Sequence, residues 1–197
     1  MGALFALICL HSIGLQRKEP SQHHVERGEL LRLADLCTSP NHEVSIRGEK
    51  QLRSHISNLP TQQKLAMLKD ANQQIRVQAI KVTAIYFRTH VNQWCQVVTN
   101  AQTNTDRCTL MNTFEAHRFS ERDLISYLTI CHSFRKTEDR VLRIAVIESM
   151  GRAKVKTKEH RDLVVSVLGI YTTDGGHKDD RTKAFTTSHR LAETNPF

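Results

Sequence analysis

The segment Asp139–Gly151 (DRVLRIAVIESMG) constrains this chain more than any other. At 100° per residue, Val141, Leu142, Ala145, Val146 and Ser149 fall on one helical face, while Ile144, Ile147 and Met150 spread around the rest. Only Arg140, Arg143 and Glu148 interrupt it with charge, so the helix is expected to be covered on most sides. Gly151 is expected to close it, since glycine adopts the positive φ just past a helix without steric cost. A helix of this kind cannot bury its apolar surface alone and must stack on neighbours.

Weaker versions of the same pattern run along the chain. Helices are expected over Val25–Cys37, over about Pro40–Asn58 with Ser39 as cap and Pro40 in the first turn, and over Gln62–Leu68. The next is expected to run from Ile75 to about Trp94, followed by a polar turn at Asn100–Asp106 and a helix over Arg107–His117. Ser120-x-x-Asp123 opens another helix in the manner of a capping box. Glu159–Tyr171 is helical, Thr172–Asp180 a loop, and residues 181–197 hold one short helix. Turn formers are few (eight Gly, four Pro) and aromatics make up 6%, both of which favour an all-α chain over a turn-dense β fold. The expected organisation is a hydrophobic segment and polar linker over 1–24, a helical array over 25–192, and a frayed tail over 193–197.

Arginines recur at Arg47, Arg76, Arg107, Arg143 and Arg181, each shortly after an acidic residue (Glu43, Asp70, Asp106, Asp139, Asp180). The apolar-Arg pairs, small packing residues and closing glycine resemble the inner helix of HEAT and armadillo repeats. That resemblance implies a right-handed superhelix, an α-α solenoid of helix pairs. It also implies a ladder in which Arg47, Arg76, Arg107 and Arg143 pair with acids such as Asp70 and Asp139 between successive repeats. A narrower resemblance covers residues 29–95. Glu29-Leu30-Leu31, Ser39-Pro40-Asn41-His42-Glu43-Val44 and Arg47–Leu52 look like the first repeat of karyopherin-β transport receptors. Ile75-Arg76-x-x-Ala79, Ile85-Tyr86-Phe87 and Trp94 look like the second. Membership would imply a Ran-binding, cargo-carrying solenoid.

Lys and Arg exceed Asp and Glu by 28 − 20 = 8, which favours polyanionic partners. The densest basic stretch is Gly151–Arg161, where Arg152, Lys154, Lys156, Lys158 and Arg161 are placed to reach phosphates together. Arg135, Lys136 and Arg140 on the preceding turn and helix would extend that patch. Aromatics are absent from it, which argues for backbone contact rather than base stacking.

The five cysteines form no C-x-x-C pair and no zinc-finger spacing with histidine, so free thiols and no metal site are expected. Residues 3–15 (ALFALICLHSIGL) are too short for a membrane span, which needs about 20 apolar residues. Their apolar length suits a signal segment or a buried helix alike. An intracellular protein, cytoplasmic or organellar, is expected, with that segment leaving a secretory route open. No Ser-His-Asp, H-E-x-x-H or paired-carboxylate pattern stands out, so neither an enzyme nor a cofactor is expected. Trp94 with Tyr86 and Phe87 would suit a HEAT-like DNA glycosylase only with a carboxylate beside it, and the sequence places none there. The function expected is therefore a non-catalytic scaffold for protein partners, with RNA or DNA backbone binding as the alternative.

Overall fold

The computed structural model describes residues 20–115, 119–173 and 178–194, and among them the secondary structure is entirely helical. Ten α-helices follow in order: α1 (Pro20–Cys37), α2 (His42–Ser57), α3 (Thr61–Ala66), α4 (Gln73–Phe87), α5 (Val91–Thr99), α6 (Asn104–Thr113), α7 (Glu121–Ser133), α8 (Arg140–Gly151), α9 (Lys158–Thr173) and α10 (Lys178–Thr194). Short 3-10 turns at Met67–Lys69 and Phe134–Lys136 extend α3 and α7. The apolar run at residues 3–15 lies outside the described residues, as do residues 16–19 of its polar linker and the last three residues of the tail. No helix among the described residues is long and apolar enough to cross a membrane.

Capping residues set the helix starts. Asn41, not Ser39, caps α2, its side chain accepting from the amides of Glu43 (3.0 Å) and Val44 (3.2 Å). Asn72 does the same for α4. Thr103 and Asp106 form a reciprocal capping box on α6, so that helix starts three residues earlier than expected. Ser120 caps α7, as the capping-box pattern anticipates.

Four expectations about extent change. Pro20 to His24, placed in the linker, belong to α1. The single helix expected from Ile75 to Trp94 breaks at Arg88–His90, where three successive amides bond three residues back and His90 Nδ1 sits 2.9 Å from the Tyr86 carbonyl. Trp94 therefore sits on a separate helix, α5. The final short helix is 17 residues long. Gly151 is the last residue inside α8, and Arg152 is the C-cap with αR geometry. The glycine is there for space: a Cβ would come within 2.6 Å of Thr187 Cγ2 and 2.7 Å of Arg190 Nη2 on α10. Gly48 on α2 plays the same part against the backbone of α1 at Cys37.

The helices pack in two rows. Each of α2, α4, α6 and α8 packs on the next even-numbered helix, ending at α10. On the other side α5 packs on α7 and α7 on α9, while α1 lies against α2 and α4. The core runs between the rows. One cluster joins α1, α2 and α4 around Leu33, Leu52, Ile56 and Ile75. A larger one runs from α4 through α10, with Trp94 stacked on Phe114 at 4.1 Å and Phe114 on Tyr127 at 5.3 Å. Trp94 is 1% exposed, so its ring is enclosed core and not a cleft wall.

Candidate functional site

The even-numbered row is joined by buried charge. Arg76 on α4 donates from Nε to Asp106 Oδ2 on α6 at 2.9 Å, both side chains under 5% exposed. Arg143 on α8 makes the same contact with Asp180 on α10 at 2.6 Å. A shared local geometry supports both. Arg76, Arg107 and Arg143 each stand four residues after the capping residue (Asn72, Thr103, Asp139). Each donates to the carbonyl six residues upstream: Arg76 to Asp70 at 2.8 Å, Arg107 to Ala101 at 2.8 Å, Arg143 to Thr137 at 2.5 Å. The guanidinium folds back over the entry to its own helix, and in two of three cases its free edge reaches forward to the next even helix.

Several ladder candidates take other places. Arg107 bonds Asn104 Oδ1 at 2.9 Å within its own helix; at the matching position of α8, three after the cap, the chain has Leu142 instead of an acid. Arg47 is exposed on α2, where the position four after the cap is Ser45, bonded to the Cys37 carbonyl at 2.7 Å. Asp139 caps α8, accepting from Leu142 N at 3.0 Å. The Asp70 carboxylate pairs with Arg27 of α1 and accepts from Asn72 N. The acids that complete the two buried pairs, Asp106 and Asp180, belong to the next even-numbered helix. Each lies 30 or 37 residues beyond its arginine, a separation that only the pairing reveals.

Exposed groups form a second level on the same row. Glu49 on α2 meets Lys81 on α4 at 3.4 Å, and Glu148 on α8 meets Lys183 on α10 at 2.6 Å. Such partly exposed pairs are worth at most about 1 kcal/mol each. Large apolar side chains are exposed on helices of the same row: Ile46 on α2, Ile85 on α4, Val141 on α8 and Phe185 on α10, all more than half exposed. On the other row Leu31, Ile125 and Leu163 are exposed to a lesser degree.

The basic set does not come together as one patch. Arg135, Lys136 and Arg140 lie at the N-terminal end of α8, and Arg152 to Arg161 lie beyond its C-terminal end. At 1.5 Å per residue the helix separates the two groups by roughly 18 Å. Arg140 pairs with Asp179, Arg152 donates to the Met111 carbonyl at 2.8 Å, Arg161 contacts Asp162 at 3.5 Å, and Arg135 lies against His132. What remains open to solvent on the α8–α9 connection is Lys154, Lys156 and Lys158. Between them Ala153 and Val155 are buried, so an extended stretch anchored by two small apolar residues presents its lysines outward.

No family model, curated protein or solved structure matches this chain.

Burial disfavours ionisation of the described cysteines and of two tyrosines. Burial pushes the Cys95 thiol up to about 11 and Cys131 to about 12, and raises Cys37 and Cys108 as well. Tyr127 and Tyr171 are raised by burial too, and are bonded to Ser149 Oγ (2.8 Å) and the Cys131 carbonyl (2.6 Å). Among the described residues no group of three His, Cys, Asp or Glu is placed to hold a metal ion.

Proposed function

We propose that this chain is a HEAT-like α-solenoid that serves as a non-catalytic adaptor, docking a protein partner along the row α2–α4–α6–α8–α10. The observation that carries this reading is the exposure of Ile46, Ile85, Val141 and Phe185, one on each of four helices in that row. Exposed apolar anchors set in a polar, charge-paired surface are what a protein interface uses for affinity and register. The repeated Arg rungs supply the stiffness such a surface needs. The test compares capture from native extract by the wild-type chain, by an Ile85→Ser/Val141→Ser/Phe185→Ser variant, and by an Ile125→Ser/Leu163→Ser control on the other row. Loss confined to the first variant supports the reading. Equal capture by all three removes it.

A second reading rests on the three outward lysines of the α8–α9 connection: contact with the backbone of RNA or DNA. Fluorescence anisotropy with generic RNA and duplex DNA over a salt series tests it. Binding that falls steeply with salt and is lost on Lys154→Glu/Lys156→Glu/Lys158→Glu supports it; binding that ignores those changes rejects it.

A further inference from the structure

The row of odd-numbered helices has a gap. Helices α5, α7 and α9 pack in succession, but α3 is only six residues long and packs on α4 and its own 3-10 turn, with α5 absent from its main neighbours. The space left between α3 and α5 is a cavity of about 320 Å³. Its walls are apolar: Leu65 and Leu68 from α3 and the turn after it, Ile80 and Phe87 from α4, Val97 from α5 and Leu110 from α6. Its mouth is polar, with Lys69 and the amides of Gln93, Gln96 and Asn100. Lys69, Gln93, Gln96 and Asn100 are all exposed, whereas Leu65, Leu68 and Val97 are half-buried and Ile80, Phe87 and Leu110 are buried. A mostly apolar concavity of this size with a few polar groups at its rim has the form of a small-molecule site.

The charges around it decide the ligand class. Asp106 also lines the cavity at 2% exposure: its Oδ2 takes Arg76 Nε and the Thr103 amide, while its Oδ1 is buried without a hydrogen-bond partner. That oxygen is closed off from solvent, which leaves Lys69, exposed at the rim, as the charged side chain a visitor meets first. We propose that this cavity binds an amphipathic monocarboxylate, its tail among Leu65, Leu68, Val97 and Leu110 and its head at Lys69 and the α5 amides. At roughly 30 Å³ per small group, the volume takes about ten heavy atoms, the size of an eight-carbon acid.

The experiment is titration calorimetry of the wild-type chain with octanoate, propanoate and octylammonium, repeated on Leu65→Trp and Lys69→Glu, with circular dichroism confirming that each variant is folded. Octanoate is expected to bind saturably at one site, and propanoate at least tenfold more weakly because five buried methylenes are lost. Octylammonium and Lys69→Glu should each weaken binding about fivefold, the size expected of one solvent-exposed charge. Leu65→Trp fills the mouth and should abolish binding. No saturable octanoate binding, equal affinity for octylammonium, or binding that survives Leu65→Trp would each overturn the proposal.

Discussion

The two ends of the molecule share one device and differ in what stands behind it. Near the N-terminal end the Arg76–Asp106 pair joins α4 to α6, and Asp106 backs onto the cavity left by the short α3. Near the other end Arg143–Asp180 joins α8 to α10, where α7 and α9 fill the opposite row and Leu168 and Val164 are fully buried. The rung is thus local to the α4–α6 and α8–α10 junctions, where an arginine four residues after a cap meets an acid on the next even helix. Closure of the core is a property of the odd row, set by helix length. The two are independent, so one half can lose its packing without losing its rung.

The largest effect should come from breaking a rung. Removing one member of a buried ion pair strands the other, a loss of about 3–5 kcal/mol. Asp180→Ala should reach that range in urea denaturation. Asp106→Ala should cost less, because the adjoining cavity lets water reach the stranded Arg76; equal costs would erase the distinction between the two ends. Next comes the odd row itself. Leu168→Ala removes a fully buried side chain and should cost about 2–5 kcal/mol, whereas Leu65→Ala at the cavity wall should cost about 1 kcal/mol or less. Gly151→Ala should cost about 1–3 kcal/mol, since the new methyl must displace Thr187 and Arg190. Smallest is the cap: Asn72→Ala should lower stability by about 1 kcal/mol, read in the same denaturation series.

Much of this frame was readable in the chain. The helical period and the break before Pro40 follow from local patterning, as do Arg76 and Arg143, whereas Arg47 matched the same pattern and is exposed. Three things were not readable. The partner of each arginine lies on the next even helix, 30 or 37 residues away, and the nearer acids Asp70 and Asp139 are equally plausible by spacing until the caps and Arg27 claim them. The end of α4 at Phe87 depends on a three-residue turn with neither Gly nor Pro, where Tyr86 and His90 stack at 4.0 Å. Which basic side chains are already engaged was not readable either: Arg140 is taken by Asp179 and Arg152 by the Met111 carbonyl.

The account stands on α4 and α6, and α8 and α10, being coupled through buried rungs. A double-mutant cycle on Arg143→Met and Asp180→Leu, with each single variant and the pair unfolded in urea, measures that coupling directly. The expected interaction energy is about 2 kcal/mol, with the double variant more stable than the sum of the singles predicts. Two singles that simply add, to within about 0.3 kcal/mol, would contradict it.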